Sequence, residues 1–305
     1  MADPAVPTLD DGVRRRLGAR FGAAIEPWFD ALPAVLAGLS ERWQIELGAL
    51  VPRGSVSVVI RCRLRDGRAA ILKTTPDRAR LATEAAALGG WTTVHAPAVL
   101  AVDESVGALL IEAIEPGTAL VDARAYPDLE DVAELIDSLH CEEPRDSSYP
   151  RLSQRVAYLF DSSRTLYERY PELVALVPPT LYDRGRRFAT RLAEQAAPST
   201  LLHGDLTPSN ILDGGDRGLV AIDPAPCIGD GAFDAVDLLF WQADNVGVIA
   251  DRAEHLAPDL NVAPSRLLDW CTAFAAMAAM ELATTAGVPR QRVEAALTLA
   301  ADAAA

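Results

Sequence analysis

The chain has 305 residues, half of them hydrophobic, with a formal net charge of −15. That length is generous for one core and comfortable for two. The excess of acid argues against nucleic acid and anionic membranes as partners and suits either a cationic ligand or plain solubility. The longest apolar stretch, Trp270 to Met280, is short for a bilayer span. Met1 to Gly12 lacks the basic flank and apolar run of a secretory leader, so a cytoplasmic protein is expected, with no membrane partner. Cys62, Cys141, Cys227 and Cys271 are widely spaced with no CxxC pair, which predicts reduced, buried thiols.

The N-terminal residues read as a loose arm and a short helix with Val13, Leu17 and Phe21 on one face. A second helix fits Pro27 to Trp43, where Trp28, Leu32, Val35, Leu36, Leu39 and Trp43 recur at helical spacing. Strands follow at Ile45 to Val51, Val56 to Leu64 and Ala69 to Lys73, the last two joined by the hairpin signal Asp66-Gly67. Between the first two lies Pro52 to Ser57, around Ser55. It is either a loop whose N–H groups approach phosphate or a plain hairpin turn.

Asp77 is a predicted N-cap, and Leu81, Ala85 and Leu88 give its helix an apolar face. Glu84 on that helix is placed to reach back to Lys73. Such a pair either grips nucleotide phosphates or is an ordinary surface pair. Strands at Ala98 to Val102 and Ala108 to Ile114 complete a small β-rich block. Glu115-Pro116-Gly117 reads as a hinge and divides the chain into residues 1–114 and 115–305. The second part is mainly helical: Leu129 to His140, Leu152 to Tyr170, Tyr182 to Ala197, Ala232 to Asp244, Val248 to His255, Pro264 to Leu282 and Gln291 to Ala304.

Chemistry-bearing residues concentrate between Leu201 and Asp234. Two short apolar runs deliver His203-Gly204-Asp205 and Ile222-Asp223-Pro224 to strand ends, and Asn210 lies five residues after Asp205. Further on, Asp230, Asp234, Asp237, Trp241 and Asp244 recur every three or four residues. They predict one polar stripe that either binds a polycation or is a solvated helix face.

The stretch from Asp205 to Asn210, with Asp223 thirteen residues later, resembles a protein-kinase catalytic loop and its metal-binding aspartate. The His-Gly-Asp opening is closer to the aminoglycoside phosphotransferases. The phrase Ile-Asp-Pro-x-Pro-x-x-Gly-Asp-x-x-Phe-Asp, Ile222 to Asp234, is similar to the streptomycin 6-phosphotransferase and hydroxyurea phosphotransferase family. So is the segment Trp28 to Trp43, with Leu-Pro-Ala-Val-Leu inside it. The chain departs from the family's pattern at Thr207, Ser209 and Gly231.

The resemblance implies an α+β, bilobal protein-kinase-like fold, with a small antiparallel β-sheet lobe and a helical lobe. It implies a kinase moving the γ-phosphate of ATP or GTP, with Mg²⁺, to a hydroxyl of a streptomycin-like antibiotic. Asp205 would orient the hydroxyl, and Asn210 and Asp223 would hold the metal. Lys73 and Glu84 would meet phosphates, with Ser55 in the loop above them. Backbone groups near Glu112 and Ile114 would meet adenine. His203 would brace the loop, and Asp230, Asp234, Asp237 and Trp241 are candidates for a cationic acceptor. The protein is expected as a monomer or weak dimer. The same reaction on hydroxyurea or another metabolite is an alternative acceptor reading. A metal-dependent hydrolase built on His203, Asp205, Asp223 and Asp230 would leave Asn210 and Lys73 without a role, and would want more histidine. A silent nucleotide-binding module would not need Lys73, Glu84, Asp205, Asn210 and Asp223 together.

Overall fold

A computed structural model describes residues 7–52, 56–140, 148–195 and 199–302. The chain divides into two compact units, Met1–Gly117 and Thr118–Ala305, the division falling between Gly117 and Thr118.

In the first unit, helices α1 (Asp11–Phe21) and α2 (Glu26–Trp43) precede strands β1 (Ile45–Leu50), β2 (Val58–Leu64) and β3 (Ala69–Thr74). Helix α3 (Arg78–Gly90) and strands β4 (Val99–Asp103) and β5 (Ala108–Glu112) follow. The strands form one antiparallel sheet in the order β1-β2-β3-β5-β4. Strand alternation sorts the side chains. Val58, Ile60, Cys62, Ala70, Leu72 and Leu110 face a core closed by Val13 and Leu17 of α1 and Leu32, Leu36 and Leu39 of α2. Lys73, one residue after Leu72, therefore leaves on the opposite face. The β2–β3 turn forms as expected, with Gly67 at φ +89 and Asp66 accepting from Arg68 N and Nε. Asp77 caps α3 by accepting from Arg80 N at 3.1 Å.

The second unit contains α4 (Leu129–His140), α5 (Leu152–Arg164), α6 (Leu166–Arg169), α7 (Leu173–Leu176) and α8 (Pro179–Glu194). Strands β6 (Ser199–Leu202), β7 (Ile211–Asp213), β8 (Leu219–Ala221) and β9 (Cys227–Asp230) form two hairpin-like pairs, β6–β9 and β7–β8. Helices α9 (Val236–Phe240), α10 (Val246–Asp259), α11 (Pro264–Thr284) and α12 (Arg290–Asp302) complete it. By length and composition α11 could cross a membrane, which the shorter apolar stretch read from the sequence did not suggest. In the fold it is a hub against α8, α10 and α12, with Leu267, Trp270, Phe274 and Met280 buried.

Two expected helices are broken. Leu152 to Tyr170 splits at Thr165 into α5 and α6. Ala232 to Asp244 becomes a 3₁₀ turn, Gly231–Ala235, then the five-residue α9, after which Trp241 is extended. The second break has a cause. The buried Arg252 donates to the carbonyl oxygens of Leu239 at 3.0 Å and Trp241 at 2.6 Å, and lies over the Tyr126 ring. Trp241 in turn meets Tyr126, centroids 5.6 Å apart. Cys62, Cys227 and Cys271 are buried free thiols; Cys141 lies outside the described residues.

Candidate active site

Within the first unit, Lys73 is only 4% exposed and pairs with Glu84 of α3. Burial removes the surface-lysine reading, because an ammonium out of water needs an anion beside it. Lys73 is also the single lysine in the chain, against 28 Lys and Arg together. A compact ammonium stands here where arginine serves everywhere else. Glu112 ends β5; its N–H donates to Ala98 O at 2.9 Å and its Oε2 accepts from Ala98 N at 3.2 Å. Glu112 lines a groove of about 470 Å³ with Arg63, Arg68, Ala98, Leu100 and Glu115. Ile114 is buried just beyond. Ser55 lies outside the described residues.

Within the second unit, β6 ends at Leu202 and the chain turns through His203, Gly204 and Asp205. Gly204 has φ +75, and a Cβ there would strike Ala225 O, so only glycine fits the turn. His203 is fully buried. Its Nε2 donates to Ile222 O at 3.0 Å, while its Nδ1 accepts from Asp205 N at 3.3 Å. Those partners require a neutral ring with the proton on Nε2. Burial, outweighing the nearby charge of Asp234, pulls its pKa below the ordinary histidine range. His203 therefore ties the Asp205 backbone to the strand end that carries Asp223.

Strands β7 and β8 pair Ile211 with Ala221, and Ile222 N donates to Asn210 O at 2.8 Å. Asn210 and Asp223 thus emerge at the same open end of that pair. Asn210 Nδ2 donates to Asp205 O at 2.9 Å and to Asp205 Oδ2 at 3.1 Å. Its amide nitrogen is engaged, which turns Oδ1 the other way, the orientation a cation ligand needs. Asp223 has φ +59, a left-handed conformation rare for residues other than glycine and typical of functional turns. Among the described residues no group of three or more His, Cys, Asp or Glu could hold a metal alone. A two-oxygen set suits Mg²⁺, which keeps waters and shares phosphate oxygens.

The expected acidic stripe does not form, because its residues fall on four different pieces of backbone. Asp230 Oδ2 accepts from Arg266 Nε at 2.6 Å and Trp270 Nε1 at 2.7 Å, and Oδ1 accepts from Ala232 N at 3.1 Å. Asp234 Oδ1 accepts from Gly204 N at 2.9 Å, and Oδ2 from His203 N at 2.8 Å and His140 Nε2 at 3.0 Å. Both carboxylates are buried with their oxygens occupied. This geometry runs against the expected substrate contacts at Asp230 and Asp234. Trp241 is committed to Tyr126.

Asp237 behaves differently. It is exposed to solvent, yet protein packed around its carboxyl disfavours the charged form. That burial first, then the charges of Glu281 and Asp205, push it up to about 7. Burial and the Asp205 charge push Glu281, near the end of α11, up to about 6. Asp205, Asp237 and Glu281 therefore share one electrostatic neighbourhood, opposed at Asp237 by Arg155. Neither Glu281 nor Arg155 stands out in the sequence. Arg155 is 50 residues from Asp205 and its Nη2 donates to Asp205 Oδ1 at 2.7 Å.

Residues 42–285 match the family model described as aminoglycoside/hydroxyurea antibiotic resistance kinase. The chain is 26% identical to a streptomycin 6-kinase of Streptomyces griseus over 276 residues, 87% of each chain. It is 29% identical to a hydroxyurea phosphotransferase of Kitasatospora aureofaciens over 238 residues, 74% of this chain and 66% of the relative. Among solved structures, the choline kinase LicA of Streptococcus pneumoniae superposes with TM-score 0.58 at 13% identity, covering 90% of this chain and 99% of that one. A ternary complex of aminoglycoside phosphotransferase APH(4)-Ia with ADP and hygromycin B gives TM-score 0.56 at 15% identity, covering 88% and 97%. The fold is thus the α+β, protein-kinase-like fold of these phosphotransferases. The match over four-fifths of the chain establishes that this protein is a phosphotransferase belonging to the aminoglycoside/hydroxyurea antibiotic resistance kinase family.

Proposed function

We propose that the protein transfers the γ-phosphate of ATP or GTP to a hydroxyl of a streptomycin-like, cationic aminoglycoside. The observation that supports a cationic acceptor is the crowding of Asp205, Asp237 and Glu281, where burial first and then neighbouring carboxylate charge push Asp237 up to about 7 and Glu281 up to about 6. An ammonium or guanidinium of the acceptor relieves that repulsion and so binds best when both are ionised.

Asp205 accepts a hydrogen bond from the acceptor hydroxyl and aligns its oxygen for in-line attack on the γ-phosphorus. The bond from that phosphorus to the bridging oxygen breaks, ADP or GDP leaves with the electron pair, and the hydroxyl proton passes to Asp205. Asn210 Oδ1 and the Asp223 carboxylate would hold Mg²⁺, which when bound would supply charge neutralisation for the phosphates. Lys73, oriented by Glu84, contacts the α- and β-phosphates. The backbone beside Glu112 and Ile114 receives the purine. Asp230 and Asp234 act as internal braces, leaving Asp237 as the acidic contact retained from the expected set and adding Glu281.

A mass-spectrometric screen tests this reading. Aminoglycosides, hydroxyurea and other hydroxylated antibiotics are each incubated with ATP–Mg²⁺ and with GTP–Mg²⁺. The expected result is one phosphate added to streptomycin or a close relative. A phosphate on hydroxyurea alone would favour the second reading, which the relative from Kitasatospora aureofaciens supports.

A further inference from the structure

Both oxygens of Asp205 already have donors, and the stronger of these comes from outside its own loop. Arg155 Nε donates to Gly204 O at 2.7 Å while Nη2 donates to Asp205 Oδ1 at 2.7 Å. The planar guanidinium thus grips the loop backbone and the carboxylate at once, fixing the side-chain rotation of Asp205 relative to the turn. Its side chain is 10% exposed and that of Asp205 is 31% exposed, so the clamp sits behind a carboxylate that still faces solvent.

The clamp is rigidly mounted. Arg155 lies in the first turn of α5. That turn is closed by Gln154, whose Oε1 accepts from Arg151 N at 2.9 Å and whose N–H donates to Arg151 O at 2.9 Å. The same end is stitched to β9 through Ile228 N to Pro150 O at 2.8 Å, and Leu152 is buried against Gly229, where any Cβ would collide.

We propose that Arg155 is a positioning residue for phosphoryl transfer, acting through Asp205. The inference rests on the reading of Asp205 as the group that orients the acceptor hydroxyl. Without Arg155 the carboxylate keeps, among the described residues, the 3.1 Å contact from Asn210 on Oδ2 and is free to rotate from the attack line. Arginine is needed because the two acceptors lie on different groups; a lysine ammonium covers one of them well.

The test compares Arg155→Met, Arg155→Ala, Arg155→Lys and Asp205→Asn with wild type, using ATP–Mg²⁺ and streptomycin or the panel member that wild type phosphorylates. The expected result for Arg155→Met is a kcat reduced about 100-fold with KM for ATP nearly unchanged. Arg155→Lys should recover part of that loss, and added ethylguanidine should raise the kcat of Arg155→Ala. Should the methionine variant fail to fold, the lysine variant and ethylguanidine rescue carry the test. A kcat for Arg155→Met and Arg155→Lys within about threefold of wild type would overturn the inference. So would a loss that tracks Tm alone, with neither lysine nor ethylguanidine restoring turnover. If Asp205→Asn is inactive while both Arg155 variants are active, the clamp fails and the function stands. If Asp205→Asn keeps wild-type turnover, the reading beneath it fails.

Discussion

Asp234 and Asp237 stand three residues apart, and their surroundings drive their carboxyls in opposite directions. Burial by itself would raise Asp234. The hydrogen bond and charge of His140 and the Gly204 N–H outweigh it and hold the group below the ordinary carboxylate range. At Asp237 burial acts first, and the charges of Glu281 and Asp205 add to it against the opposing Arg155. The difference teaches how to sort acids by role. A carboxylate saturated with internal donors stabilises the loop that carries Asp205. One left among like charges costs stability, and a cationic ligand is what would relieve that cost.

The comparison can be broken first at its structural end. Asp234→Ala leaves the N–H groups of His203 and Gly204 without their acceptor in a buried site. A loss of about 3–5 kcal/mol is expected in denaturant unfolding. A change below about 1 kcal/mol would remove Asp234 from the brace role.

The matched pair in the other unit gives the next largest effect. Lys73→Arg keeps the charge but puts a broad fork where a compact ammonium sat against Glu84, so kcat/KM for ATP should fall about 100-fold. Because this is the only lysine, an ATP-mimetic electrophile selective for lysine side chains should label one side chain, protected by ATP. Labelling without ATP protection would separate Lys73 from the nucleotide.

At the other end of the comparison, Asp237→Asn combined with Glu281→Gln should raise KM for streptomycin about tenfold and leave KM for ATP unchanged. The same substitutions should raise Tm at pH 8, since they remove repulsion. An unchanged acceptor KM would assign the acids no ligand.

The smallest effect is in pH dependence. Asp237, ordinarily near 3.8, is raised to about 7, so the folded state holds a proton that the unfolded chain has released. Stability from this group is fully present below about pH 4 and is lost as pH rises through about 7. Asp234 has the reverse sign: its contribution is present above the unfolded value of 3.8 and is lost only as pH falls through its lower folded value. Asp237→Asn should therefore flatten the decline of Tm between about pH 4 and 7, measured by calorimetry. KM of wild type for streptomycin should fall over pH 6 to 8 as Asp237 and Glu281 ionise.

Much of this was legible from spacing. The strands were read at Ile45 to Val51, Val56 to Leu64 and Ala69 to Lys73, close to where they form, Glu84 was placed to reach Lys73, and Asp77 capped α3 as its residue type requires. His203, Asp205, Asn210 and Asp223 were fixed by short loops at strand ends, where sequence distance and spatial distance agree. The acidic stripe failed because helical periodicity assumes an unbroken helix. Arg252, arriving from α10, ends α9 at Phe240, and His203 and Gly204 draw Asp234 inward. Arg155 and Glu281 were invisible for the converse reason: tertiary contact brings them to Asp205 from helices with no motif of their own. The single lysine was a signal in plain composition, since every other strongly basic side chain is arginine.

The most direct measurement is phosphate transfer from ATP–Mg²⁺ to streptomycin, followed by mass spectrometry, for wild type beside Asp205→Asn. The expected result is one phosphate on the acceptor with wild type and a rate reduced about 1,000-fold in the variant, with its fold and nucleotide binding intact. A variant that phosphorylates streptomycin at the wild-type rate would contradict the assignment of Asp205, and with it the clamp and the acidic acceptor face built around it.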